Sequence, residues 1–273
     1  MKKKILHITV NFKNWDITKK LIKSLDKNSE VELTLFVVDN CADSSSDKFI
    51  NEIEVKNITL QIIKSKNNLG YFGAASYVLS NLNYLEFDFI IISNNDIEVI
   101  QNNFYSILFK YKTYDIIAPS IRTLNGIEQN PHRINPISKI RKIYYSIYFS
   151  SYIVAYILNS LIKLKKSLMS KIDNVDYSEP FTIFSPHGAY LIFNKTYFIK
   201  GGFIDNGFFL YGEEDSIAAI SFKHKFNIIF APELKIIHHE SITIGRRFSR
   251  IKFTYQKETF KYLKKKYPYY YKI

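Results

Sequence analysis

The first hundred residues alternate apolar, β-rich runs with stretches of helical periodicity, and most of the β-runs stop at an amide or a carboxylate. "ILHITVNF" (5–12) reaches Asn11, "VELTLFVVDN" (31–40) reaches Asp39 and Asn40, and "FDFIIISNND" (87–96) reaches Asn94, Asn95 and Asp96. A further strand is expected at "ITLQIIKS" (58–65). Between the runs lie "DITKKLIKSL" (16–25), with Ile17, Leu21, Ile22 and Leu25 at helical spacing and Asp16 placed to cap, the capped "DSSSDKFINEI", and "NNLGYFGAASYVLSNL" (67–82), a glycine-containing loop entering a helix. Such alternation predicts βαβ units and an α/β fold with a mostly parallel sheet flanked by helices. Ligands of such sheets bind outside the carboxyl ends of the strands. Polar residues scattered along the chain are therefore expected on one rim.

The end of the fourth run is richer than a turn requires. Ser93, Asn94, Asn95, Asp96 and Glu98 supply oxygen-bearing side chains of the kind that hold a hard cation. The bland reading is an Asn-Asn-Asp turn.

The 273 residues suffice for one large domain or two small ones, and a 47% apolar content excludes a disordered chain. A formal charge of +13 favours an anionic partner: a phosphorylated substrate, an anionic membrane or nucleic acid. It is also compatible with a merely basic surface. No recognised nucleic-acid motif accompanies the charge, so no nucleic-acid partner is expected. Cys41 is the single cysteine, which suits a reducing cytoplasm. "MKKKILHITVNF" reads as a first strand and not as a signal peptide.

The middle differs. "IYYSIYFSSYIVAYILNSLI" (143–162) lacks charge and is flanked by Lys139, Arg141 and Lys142 before it and Lys163, Lys165 and Lys166 after it. An interfacial helix or hairpin at an anionic lipid surface is the preferred reading, with a buried helix pair and a true span as alternatives. The tail "FKYLKKKYPYYYKI" alternates lysine and tyrosine, as a solvated end or a lipid contact would.

Seven pieces then occur in a familiar order: "ITVNF", "FVVDN", "NNLGYFGAASY", "IIISNNDIE", "HGAYLIF", "GGFIDNGFFLYGEED" and "PELKIIHHES". Together they cover residues 5 to 100 and 184 to 245, and in this order the chain resembles the family 2 glycosyltransferases of GT-A (Rossmann-like) fold, closest to the rhamnosyltransferase-like branch of bacterial surface-polysaccharide enzymes. The resemblance implies inverting transfer of a hexosyl or deoxyhexosyl group from a nucleoside-diphosphate sugar to a hydroxyl of a saccharide. It implies Mg2+ or Mn2+ at Asp96, with Asn94 standing where the family's motif has its first Asp, and His238 near the metal or diphosphate. Asn11, Phe12, Asp39, Asn67, Gly70, Gly73, Asn94, Asn95 and Asp96 are implied on the donor side. His187, Gly188, Ala189 and Glu213 are implied on the acceptor side. The catalytic base is implied within "YGEED": residue type favours Asp215, while gapless alignment favours Glu214. Charge and the apolar middle add a polyprenyl-diphosphate-linked acceptor and a peripheral location on the inner face of the cytoplasmic membrane. Arg246 and Arg247 are read as partners of diphosphate or lipid phosphate. The expected organisation is a nucleotide-sugar-binding half (1–120), a helical insertion near the membrane (121–180), a catalytic half (181–245) and a basic aromatic tail (246–273). The rival reading keeps the fold without turnover, as a nucleotide-sugar-binding or membrane scaffolding protein.

Overall fold

The computed structural model describes residues 3–41, 45–168, 176–240 and 248–272. Arg246 and Arg247 lie outside the described residues. Strand β1 (Lys4–Asn11), helix α1 (Trp15–Asp26), strand β2 (Glu32–Asp39), helix α2 (Ser45–Asn51), strand β3 (Ile58–Lys64), helix α3 (Tyr71–Ser80) and strand β4 (Phe89–Asn94) follow in the order the sequence predicts. The chain continues through β5 (Ile97–Val99), α4 (Phe104–Leu108), β6 (Ile116–Thr123), α5 (Lys139–Tyr148), α6 (Tyr152–Leu168) and β7 (Phe181–Thr182). Then come β8 (Tyr190–Asn194), α7 (Lys195–Ile199), α8 (Glu213–His224), β9 (Ile228–His238), α9 (Arg250–Lys266) and α10 (Pro268–Tyr271).

All strands join one sheet of order β3-β2-β1-β4-β8-β6-β9-β5, with β7 paired to β9. Strands β1 to β4 are parallel, and β8 enters antiparallel between β4 and β6. Near-continuous apolar runs suit a sheet covered on both faces. Leu6 and Ile8 of β1 join one core with Phe72 and Val78 of α3 and Ile217 and Ile220 of α8. Ile5 points the other way, into a core with Leu21, Ile22 and Leu25 of α1 and Phe104 and Leu108 of α4. Helix α1 forms because its apolar residues recur at that spacing and because the Asn14 side chain accepts from the Ile17 N–H.

Register levels the polar ends. Asn11 lies opposite Asp39, Val10 opposite Asn94, and Asp39 opposite Lys64. The rim expected from the sequence is therefore a geometric fact.

Two segments depart from simple reading. The uncharged middle stretch is broken by turn residues into two helices. Ser138 Oγ accepts from the Arg141 N–H to start α5, and Ser151 Oγ accepts from the Val154 N–H to start α6. No helix among the described residues is long and apolar enough to cross a membrane. Helix α5 buries none of its residues, so the hairpin is not a core helix pair. The tail is not a loose solvated end, although Lys264, Lys265, Lys266 and Tyr269 remain exposed. Leu263, Tyr267, Tyr270 and Tyr271 pack into the core beside α3 and α8, because burying aromatic rings outweighs solvating a lysine-rich end whose ammonium groups still reach water.

Candidate active site

The floor is built at the ends of β1 and β2. Asn11 and Asp39 are fully buried. The Asn11 amide donates to Asp39 Oδ1 (3.1 Å) and its Oδ1 accepts from the Thr18 hydroxyl (2.9 Å). The Asn95 amide donates to Thr18 in turn (2.9 Å). The second Asp39 oxygen, Oδ2, is buried and has no hydrogen-bond partner among the described residues. An orphaned buried carboxylate oxygen is costly, and here it lies under the rim of a cleft.

One wall carries Asp96 and His238. Strand β5 runs antiparallel to β9 with Ile97 opposite His238, so the imidazole and the carboxylate meet: His238 Nε2 lies 3.1 Å from Asp96 Oδ1. Both side chains are nearly buried. The other ring nitrogen, Nδ1, faces Gln129 Oε1 at 2.7 Å, and the Gln129 amide donates to Glu240 Oε1 (3.0 Å). Glu240 thus fixes which way the Gln129 amide points, and Gln129 Oε1 can only accept, so Nδ1 carries hydrogen. With hydrogen on Nδ1, Nε2 is the nitrogen that a metal shared with Asp96 would take. That donor pair, imidazole nitrogen beside carboxylate oxygen, fits a divalent cation. No group of three His, Cys, Asp or Glu among the described residues forms a fuller ligand set. Neighbouring His239 is turned aside, 3.1 Å from Glu98.

Behind Tyr71 and Gly188 lies the start of α8. Three consecutive acids leave a helix at about 100° to one another, so they meet different surroundings. Glu214 Oε1 accepts from the Gly188 N–H (3.0 Å). A side chain at residue 188 would place its Cβ 2.8 Å from that oxygen, so glycine keeps Glu214 in place. Burial alone would raise the Glu214 carboxyl, but His132, His187 and the backbone N–H groups outweigh it and hold it below its ordinary value. Burial, and then the charge of Glu214, push Glu213 up to about 8. Asp215 turns elsewhere, to Arg133 Nη1 at 2.5 Å. His187 accepts at Nδ1 from the Ala189 N–H (3.2 Å), and its ring stands 6.3 Å from that of His238. Burial lowers its pKa, with His132 and His238 adding to the effect.

Tyr71 connects the two groups. Its hydroxyl donates to the Gly188 carbonyl (2.9 Å). Its pKa is raised by burial first, then by Glu213, Glu214 and Asp96, so acids more than a hundred residues apart act on one hydroxyl.

The cleft beside Asp96 and His238 measures about 580 Å3 and is lined in part by Phe12, Gly70, Asn94, Asn95, Asp96 and His238, all singled out from the sequence. Val10, Asn40, Asn68, Tyr71, Phe209, Leu210, Glu240 and Tyr255 complete it, while Asn11, Asp39, His187, Gly188, Ala189 and the acids 213–215 lie behind this lining. Asn67 is exposed beside it, and Gly73 lies inside α3 in ordinary contact with Leu69. Gly70 has φ +74°, and a Cβ there would meet the Phe209 carbonyl oxygen at 2.4 Å, so only glycine lets the 203–212 loop close down on this side. The Asn40 side chain holds the loop that carries Gly70, donating to its carbonyl (3.0 Å). Tyr71 and Asn40 sat inside quoted motifs. Gln129 and Arg133 carried no sequence signal.

No protein-family model and no curated protein matches the chain. Solved structures do. The structure of GalNAc-T7 with UDP, GalNAc and Mn2+ superposes with a TM-score of 0.62 at 12% identity, over 99% of this chain and 50% of that one. S. aureus TarS gives 0.53 at 12% identity, over 88% of this chain and 37% of its own. The mannosyltransferase PcManGT from Pyrobaculum calidifontis, with GDP-Man and Mn2+, gives 0.53 at 12% identity over 99% and 72%. The chain has the GT-A fold. It spans about half the length or less of the first two proteins.

Proposed function

We propose that this chain is a metal-dependent, inverting glycosyltransferase that moves a hexosyl or deoxyhexosyl group from a nucleoside-diphosphate sugar to a hydroxyl of a saccharide acceptor. The observation that carries the reading is the pairing of Asp96 and His238 in the cleft beside Tyr71, whose hydroxyl reaches Gly188, the residue that holds Glu214, and feels the charge of Asp96, Glu213 and Glu214 together. The bound nucleotides and Mn2+ of GalNAc-T7 and PcManGT support it.

Asp96 and His238 would hold Mg2+ or Mn2+, which neutralises charge on a departing diphosphate when bound; with two protein ligands, donor phosphates and water have room to complete the shell. Asp39 and Asn11 recognise the nucleoside through the orphaned carboxylate oxygen. Glu214, ionised at neutral pH and aimed by Gly188, takes the proton of the acceptor hydroxyl as that oxygen attacks the anomeric carbon, a contribution of roughly 10²–10⁴-fold. Glu213 stays protonated at neutral pH and keeps a second anion away from the base. Asp215 is assigned a positioning role through Arg133. Surface-polysaccharide assembly on a polyprenyl-diphosphate carrier, as in rhamnosyl transfer, is the setting that the family resemblance and the basic charge support.

A thermal-shift panel of nucleotide sugars with and without Mn2+ tests the reading, since a ligand bound to the native state raises Tm by mass action. At least one nucleotide sugar should raise Tm only when Mn2+ is present. A flat panel with every donor would sink the proposal.

A further inference from the structure

Helices α5 and α6 pack against each other as a hairpin and leave an apolar face uncovered among the described residues. On α5 the exposed residues Ile140, Ile143 and Ile147 fall at helical spacing along one stripe. On α6 the exposed residues Ile153, Tyr156, Ile157 and Leu161 form a second stripe of the same kind. Ile140, 80% exposed, and Ile153, 69% exposed, are among the most exposed large apolar residues of the fold. Single exposed apolar residues need no explanation, but two adjoining stripes do.

The charge around this face decides what fits it. Residues 129–172 contain eight Lys or Arg and no Asp or Glu. Elsewhere lysines meet acids, as in Lys4–Glu86 and Lys19–Glu52. Within the hairpin the partners are neutral: Arg141 donates to the Tyr145 hydroxyl and Lys142 to the Lys272 carbonyl. Arg133, at the base of the hairpin, pairs with Asp215, but Lys139, Arg141 and Lys142 meet no carboxylate among the described residues and stand beside the apolar surface. A second copy of the chain would bring another carboxylate-free face against it and be repelled. An anionic bilayer offers apolar depth for the isoleucines and phosphates for the cations.

We infer that the α5–α6 hairpin is a monotopic membrane-docking surface, seated in the head-group region of an anionic bilayer with its isoleucine stripes inward. The hairpin grows from the acid-bearing side of the cleft. A cavity of about 380 Å3 is lined in part by His132, Arg133, Ser138 and Arg141. His132 acts on the Glu214 carboxyl. Docking would therefore bring a lipid-borne acceptor to the base, a consequence that rests on the proposed sugar transfer; the docking itself does not.

The test is sedimentation of the full chain with vesicles of phosphatidylcholine alone and of phosphatidylcholine with about a third phosphatidylglycerol, at low and high salt, with no donor present. The wild type should sediment with the anionic vesicles, remain in solution with the neutral ones, and detach as salt rises. The double variant Ile153→Glu/Ile157→Glu changes exposed positions and should fold as the wild type does. Its partition should fall at least about tenfold. A variant Lys139→Glu/Lys142→Glu should lose anionic-vesicle binding while keeping its Tm. Undiminished binding by both variants, or equal binding to neutral vesicles, overturns the proposal. So does a concentration-dependent dimer that Ile153→Glu/Ile157→Glu abolishes, since the face would then belong to a second copy. The nucleotide-sugar panel is read independently, so vesicle binding and donor binding fail separately.

Discussion

At Glu213, Glu214 and Asp215 one turn of helix gives three carboxylates three chemistries. Glu214 is held ionised against Gly188, Asp215 is bound to Arg133, and Glu213 is pushed up to about 8 by burial and by its neighbour. The last has a stability consequence. The folded protein retains a Glu213 proton that the unfolded chain gives up near its ordinary pKa of about 4.3. Stability is therefore lost as pH rises from about 4.5 to about 8. Glu213→Gln removes that loss. Urea melts should show the variant gaining on the wild type steadily across this window, and a gap that does not change with pH would refute the assignment. A second residue-scale prediction concerns Gln129. Fixing the ring of a metal-binding histidine is commonly worth 10–100-fold in metal affinity. Gln129→Leu should weaken Mn2+ binding, followed by electron paramagnetic resonance, by about that factor. The paired swap Gln129→Glu/Glu240→Gln preserves an acceptor for His238 Nδ1 and should restore most of it. Equal weakening by both would reduce Gln129 to a packing role. These two sites also show what sequence conveys. Asp96 and the acid trio stand out because their composition exceeds what a turn or a cap needs. Which acid is held beside Tyr71 depends on a glycine 26 residues away. Gln129 lies on a connection without periodicity, and its partner is 109 residues distant.

Among the elements, β1 to β4 and their helices are legible because local periodicity and core packing agree. The pairing of β6 with β9 and of β5 with β9 is not, since short strands separated by a hundred residues leave no local trace. The tail misleads for another reason. Its composition suggests a surface, yet Leu263, Tyr267, Tyr270 and Tyr271 recur at three- and four-residue spacing and are buried. Asp205 anchors this element: its buried carboxylate accepts from the Tyr262 and Tyr267 hydroxyls, the Lys266 ammonium and the Gly207 N–H. Burial would raise its pKa, but these donors hold it below the usual value. Asp205→Ala should cost about 1–3 kcal/mol, since Lys266 still reaches water but the buried Tyr267 hydroxyl loses its acceptor. Because the folded pKa is depressed, the anchor's contribution is present above the unfolded pKa near 3.9 and disappears as pH falls through the folded value. The gap between variant and wild type should therefore narrow below pH 4. A gap that widens on acidification would contradict the anchor.

Across the whole molecule, the parallel half of the sheet levels Asn11, Asp39 and Asn94 on one rim, and the inserted antiparallel β8 brings Gly188 and α8 near it. On the proposed reading, this topology sets a cation site at Asp96 and His238 near a proton-accepting carboxylate at Glu214. The measurement that bears on it most directly is the transfer rate of Glu214→Gln at saturating donor and Mn2+, beside Asp96→Ala and Asp215→Asn. Glu214→Gln should keep the Mn2+-dependent thermal shift with donor and lose transfer by roughly 10²–10⁴-fold, Asp96→Ala should lose both, and Asp215→Asn should keep most of its rate. Transfer by Glu214→Gln at the wild-type rate, with Asp215→Asn inactive, would contradict the proposed reading.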